Sequence, residues 1–226
     1  MNKIIVANMK MYLDYDEVKN YLEKIKKEKT DNIIFCPSTI YIPCFKEANL
    51  NLGVQDVSEH ERGNHTGSIS CRQVKSLDIS YVIIGHSEVK NNNKTINKKI
   101  KLCKKYGITP IVCIGENKKD IYKKRTIRKA INSYLKNINL DKIIIAYEPK
   151  YMVSSNKNIN VKYIEKMIKY IKKIVKKYKI NDIMVLYGGN INKKNIEYLK
   201  QIKELDGYLI GRTSLNIKEL IEVACN

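Results

Sequence analysis

The chain predicts an α/β fold, a (β/α)8 barrel formed by residues 1–226 as one domain. Three observations carry that expectation. Short β-branched apolar runs recur eight times along the 226 residues, helix-period segments lie between them, and no Gly/Ser linker or change of composition marks a boundary. Continuous apolar runs suit strands buried on both faces, and strands alternating with helices suit parallel βαβ units. Eight such units close a barrel. A doubly wound sheet is the structural alternative, but no GxGxxG follows the first run, which removes its best phosphate-binding signature.

The runs are KIIVANMK (3–10), NIIFCPS (32–38), LGVQDVS (52–58), SYVIIGHS (80–87), TPIVCIGE (109–116), KIIIAYEP (142–149), DIMVLYGG (182–189) and DGYLIGRTS (206–214). After the first run, Val18, Tyr21, Leu22 and Ile25 recur at helical spacing, with Asp14 and Asp16 at the N-terminal end where the helix dipole favours them. The connector at 39–51 is weaker and reads as a short or irregular helix. In the longest helical segment Ile164, Met167, Ile168, Ile171, Ile174, Val175 and Tyr178 make one stripe, and lysines fill the rest.

Composition narrows the function classes. A 43% hydrophobic content implies a packed core rather than a disordered polymer. The charge of +20 comes from 43 Lys+Arg against 23 Asp+Glu. Clusters such as IKKIVKKYK lie on helical patterns, so they read as solvated outer faces, and a nucleic-acid partner is not expected. A positive field still draws in small anions. No apolar run approaches the about 18 residues of a membrane span, and the N-terminus lacks a signal-peptide core. The expected compartment is the cytoplasm. The six cysteines, at 36, 44, 71, 103, 113 and 225, form no CxxC and fit no zinc template. They read as small buried hydrophobes in a reducing compartment, and no metal is expected.

Barrel chemistry sits where strands end at their C-terminal face. That rule selects Asn8 and Lys10, Gln55, His86, Glu116, Glu148, Gly188 and Gly189, and Gly211 with Arg212. Pro149 disfavours the α region for Glu148 and keeps that carboxylate extended at the strand tip. A carboxylate base, a neutral donor such as His86 and a cation such as Lys10 suit removal of a proton α to a carbonyl, which creates an enediolate. Glycine loops after the last two strands suit a remote phosphate.

The motifs also resemble one family, the triosephosphate isomerases, in order along most of the chain. They are NMKM (8–11), GVQDVS (53–58), TGSIS (66–70), YVIIGHSE (81–88), GITPIVCIGE (107–116), AYEP (146–149), YGGN (187–190) and DGYLIGRTSL (206–215). The resemblance implies a TIM barrel that interconverts dihydroxyacetone phosphate and glyceraldehyde 3-phosphate without metal or organic cofactor. It implies that Glu148 is the base and His86 a neutral electrophile, kept neutral by a helix starting near Ser87. Lys10 would stabilise the growing negative charge with Asn8 beside it. Glu88 and Cys113 would support the site. Ser154, Gly188, Gly189, Asn190, Gly211 and Arg212 would complete the substrate-binding set.

Several departures from the family pattern fall around the phosphate, and two affect other regions. After Pro149 the lid reads KYMVSSNK: Tyr151 stands where the family has Trp, and both lid glycines are absent. A non-glycine residue still donates a backbone N–H, so Ser154 would grip the phosphate. Asn190 replaces a Ser, and Arg212 replaces the second of two glycines, where it either crowds the phosphate or pairs with it. GHSE continues as Val89-Lys90-Asn91 in place of two arginines, and the chain is trimmed after Glu116. The segment 56–70, with its tip Gly63-Asn64-His65-Thr66-Gly67, resembles the loop that reaches into a neighbouring subunit, so a two-fold homodimer is expected. Two alternatives stand beside the main reading. One is an isomerase of another phosphorylated sugar, such as a tetrulose phosphate. The other is a binding protein that keeps the fold and has lost efficient catalysis.

Overall fold

A computed structural model describes residues 3–121, 123–152 and 160–225. Ser154 and the lid segment 153–159 lie outside the described residues.

Eight strands alternate with helices: β1 Ile4–Asn8, α1 Tyr15–Ile25, β2 Ile33–Cys36, α2 Ile42–Glu47, β3 Gly53–Val54, α3 Cys71–Ser76, β4 Tyr81–Ile84, α4 Asn93–Tyr106, β5 Thr109–Ile114, α5 Lys124–Tyr134, β6 Lys142–Tyr147, α6 Val161–Val175, β7 Asp182–Tyr187, α7 Ile196–Lys200, β8 Gly207–Ile210 and α8 Ile217–Ala224. The strands form one parallel sheet in the order β2-β1-β8-β7-β6-β5-β4-β3. A bridge between Phe35 and Leu52 joins its two ends, so the sheet closes as a (β/α)8 TIM barrel.

Each strand buries both faces, which is why the sequence shows unbroken apolar runs. On β6, Ile144 and Ala146 point into the barrel with Val6, Ile34, Ile83, Ile111, Leu186 and Leu209. Their neighbours Ile143, Ile145 and Tyr147 pack outward under the helices. This two-residue alternation is the strand pleat.

Each of the eight expected runs holds a strand, but the third shrinks to Gly53–Val54. Crowding explains Gly53: a Cβ there would lie 2.8 Å from the Cys36 sulfur. Gln55 then leaves the ladder to donate its side-chain amide to Lys10 O and Cys36 O at 2.8 and 3.0 Å.

The first helix forms as expected. Asp14 caps it, with a reciprocal bond from Glu17, and Val18, Tyr21, Leu22 and Ile25 are buried. The connector at 39–51 holds a 3-10 turn at Thr39–Tyr41 and the six-residue α2. The long stripe is shorter than expected. It stays helical through Val175, and Tyr178 lies in a following 3-10 turn that ends at left-handed Lys179. The cysteine expectation is corrected in part. Cys36, Cys71, Cys103 and Cys113 are buried, but Cys44 is only partly so and Cys225, just past the last helix, is exposed. Among the described residues no helix is long and apolar enough to cross a membrane.

Candidate active site

Three strand ends aim one side chain each at the same opening. Glu148 follows β6; its N–H bonds Ile114 O at 2.8 Å, which continues the ladder one residue past the strand. The residue is 5% exposed, and among the described residues Oε2 meets no hydrogen-bond partner. A buried carboxylate oxygen without a donor is costly unless it has work to do. The carboxylate lies against Gly188, where a Cβ would stand 2.7 Å from Glu148 Cγ. Cys113 sits below it in the barrel interior, its thiol pushed well up by burial and then by the charge of Glu148.

His86 follows β4 and is buried. Its Nδ1 accepts the backbone N–H of Glu88 at 3.2 Å. A neutral ring that accepts there carries its proton on Nε2. That nitrogen faces Glu148 Oε1 at 3.6 Å. The expected helix at Ser87 is absent. Residues 87–89 form a turn, and α4 starts at Asn93, because Asn92 is the cap, accepting the Thr95 N–H at 2.9 Å. The donor that favours a neutral ring is therefore one amide, not a helix terminus. Burial also disfavours the imidazolium, but the bond and charge of Glu148, with the charge of Glu88, outweigh it, and the pKa of His86 is displaced upward. The direction differs from the expected neutral ring because a carboxylate faces it directly.

Lys10 lies two residues beyond β1 with φ 53, a left-handed conformation that costs a non-glycine residue about 1–2 kcal/mol. Gln55 holds its carbonyl, and Asn8 Oδ1 accepts its N–H at 3.2 Å. The ammonium pairs with Glu88 at 2.5 Å. Glu88 thus serves two groups, the cation through its carboxylate and the imidazole through its backbone.

Lys10, His86 and Glu148 line one cavity of about 420 Å³, together with Gly188, Asn190, Gly211 and Arg212. Asn8 is buried behind Lys10, and the Tyr187 ring fills the space beside Gly189. Asn190 has φ 43, and its carbonyl accepts from the side chains of Asn192 and Asn195. Thr213 Oγ1 donates to Ile191 O at 2.7 Å and ties the two glycine-containing loops together. Arg212 is exposed at the start of a 3-10 turn.

The expected strand-end residue Glu116 does not join them. It is 1% exposed and accepts the hydroxyls of Tyr147 and Tyr163, so its carboxylate serves the wall behind β6. Gln55, selected only as a strand end, emerges as the clamp on Lys10. Thr213 was not singled out; a hydroxyl residue in a glycine loop was the available signal. A larger cavity of about 1160 Å³ lies between α1 and α8, reaching Arg212 but neither His86 nor Glu148. Among the described residues no group of three His, Cys, Asp or Glu is placed to hold a metal ion.

The family model "Triosephosphate isomerase" matches residues 3–226. Proteins named triosephosphate isomerase from three organisms are similar over nearly their full length. The one from Mycoplasmopsis pulmonis is 31% identical, over 97% of this chain and 96% of that protein. The one from Wigglesworthia glossinidia brevipalpis is 33% identical, over 99% and 95%. The one from Dictyoglomus thermophilum is 35% identical, over 94% of each. The chain belongs to the triosephosphate isomerase family and is an isomerase built on the barrel whose rim gathers Lys10, His86 and Glu148.

Proposed function

We propose that the chain, acting as one barrel domain, interconverts dihydroxyacetone phosphate and glyceraldehyde 3-phosphate through an enediolate. The observation that carries this reading is the convergence of an ammonium, an imidazole and a carboxylate on one cavity. Glu148 removes the proton from one carbon of the triose and returns it to the adjacent carbon. The Nε2–H of His86 donates to the carbonyl oxygen as it gains charge, and Lys10 stabilises the enediolate. Substrate between His86 and Glu148 separates the pair whose contact raises the imidazole pKa, while the Glu88 amide continues to favour the neutral ring. Backbone N–H groups around Ser154, Gly188, Gly189, Asn190 and Gly211 bind the phosphate, with Asn8 behind Lys10 and Arg212 adding a side-chain cation. Neither metal nor organic cofactor takes part.

The protein works as a homodimer in this reading. The loop at 56–70 is held at its root by Lys99 to Asp56, Lys98 to Glu59 and Lys105 to Glu61, which leaves its tip free to reach a second copy. Met11 and Ile40, 91% and 74% exposed near the rim, suit burial against that copy. The compartment is the cytoplasm, and the partner is a small phosphorylated sugar rather than a nucleic acid.

The deciding assay uses purified protein with glyceraldehyde 3-phosphate, beside the variant Glu148→Gln. Turnover by the wild type, and a loss of about 10³-fold in the variant, are expected. An inactive wild type or a fully active variant overturns the reading. A mass near that of a single chain in sedimentation at micromolar concentration overturns the dimer.

A further inference from the structure

Two buried thiols meet away from the catalytic cavity. Cys71 is the first residue of α3, directly after the 56–70 loop, and Cys103 lies in the last turns of α4. Their sulfurs are 3.8 Å apart, and both residues are 0% exposed. Neither side chain is used by the chemistry proposed above. Lys99, one turn before Cys103 on α4, bonds both carboxylate oxygens of Asp56 at 2.8 and 2.7 Å beside the pair.

The environment separates the two thiols. That of Cys71 is drawn below its ordinary pKa, first by its bond to Cys103, with burial opposing and the Lys99 ammonium assisting. That of Cys103 is pushed up by the same bond and by burial. One sulfur is therefore the better nucleophile, and the other stands next to it as a thiol.

We propose that Cys71 and Cys103 are a peroxide-oxidisable pair that forms a reversible disulfide between α3 and α4 in the folded protein. In the first step the Cys71 thiolate attacks one oxygen of hydrogen peroxide. The O–O bond breaks, a sulfenic acid forms, and the other oxygen leaves as water after taking a proton. In the second step the Cys103 sulfur attacks Cys71 Sγ, the S–O bond breaks, and the hydroxyl leaves as a second water with the Cys103 proton. Two thiols are oxidised by two electrons, and one peroxide is reduced to two waters. The sulfurs must close from 3.8 Å to about 2 Å, a movement that the start of a six-residue helix can absorb. Peroxide is little larger than water, so a local opening of α3 admits it.

The disulfide would staple α3, which receives the 56–70 loop, to α4, whose lysines hold that loop's root. It would close a segment of the chain that contains β4 and His86. The mark is thus placed to couple oxidation to the subunit loop.

The test is peptide mapping of folded wild-type protein. The protein is treated with hydrogen peroxide, quenched with catalase, unfolded in iodoacetamide, digested and weighed by mass spectrometry. Exposed Cys225 reports that peroxide reacted. The expected result is a linked pair of peptides carrying Cys71 and Cys103, two hydrogens lighter than the free peptides, and lost on dithiothreitol treatment. In Cys103→Ser no link forms, and dimedone captures the sulfenic acid at Cys71. Full alkylation of both cysteines while Cys225 is oxidised overturns the proposal. So does a link that forms only when peroxide is added after unfolding. The wild-type map decides the matter even where the variant fails to fold.

Discussion

The two halves of the barrel rim are held by different means. On the side of β1, β4 and β6, each of the three converging polar side chains is held by contacts of its own. Glu148 lies against Gly188, His86 is oriented by the Glu88 amide, and Lys10 is pinned by Gln55 and paired with Glu88. On the side of β7 and β8, the loops are tied by backbone-directed bonds from Thr213, Asn192 and Asn195, while Arg212 is exposed at the cavity wall. Two of the departures from the family pattern, Asn190 and Arg212, fall in this second half. A backbone N–H is available from any residue except proline, so a phosphate grip tolerates new side chains. A proton transfer needs one particular group in one place.

That contrast is broken most directly on the chemical side, where Glu148→Gln carries the largest expected loss. Gly188→Ala comes next. Its new methyl would stand 2.7 Å from Glu148 Cγ and must push the carboxylate aside. Displacing a reacting group by about 1 Å costs about 10²-fold, so kcat should fall by that order while the KM for the triose changes little. A raised KM with kcat unchanged would mean that Gly188 acts through phosphate binding alone.

Arg212→Gly probes the other half and should act more mildly. If the guanidinium reaches the phosphate, a phosphate-bearing competitive inhibitor binds about tenfold more weakly to the variant, as for loss of one charge-assisted hydrogen bond. Tighter binding in the variant would show that Arg212 crowds the site. Unchanged affinity would place it outside the substrate's reach.

The smallest effect is on stability against pH. The folded-state pKa of His86 is raised above its unfolded value, chiefly by Glu148 once the opposing burial is counted. Protonation is thus favoured in the folded protein. The contribution to stability is fully present below about pH 6.5 and fades as pH rises through the higher folded value. Urea midpoints of the substrate-free protein across pH 5.5–8.5 should show this component in the wild type, and a weaker one in Glu148→Gln. An identical pH trend in the two proteins would mean that Glu148 is not its source.

How far the sequence could be read differs along the chain for physical reasons. Eight buried strands announce themselves locally, because a strand covered on both faces must be apolar at every position. The same holds for Lys10, His86 and Glu148, which sit at the ends of those runs. The same rule also selects Glu116, which lies elsewhere. The strand end puts a carboxylate near the rim, but the turn that follows decides whether it faces the cavity or the helix layer, where Tyr147 and Tyr163 wait. The helix expected near Ser87 starts instead at Asn93, where Asn92 caps it.

By itself, then, the order of residues determined the barrel, the family and the three groups of the rim, since each is written in short stretches of chain. Only the tertiary structure decided which partner each group meets. Gln55 reaches Lys10 across 45 positions, Glu88 pairs with it across 78, and Cys71 touches Cys103 across 32. Such contacts leave no local period in the sequence. They exist because a closed barrel gathers its strand ends, and the helices packed around it, however far apart they lie along the chain.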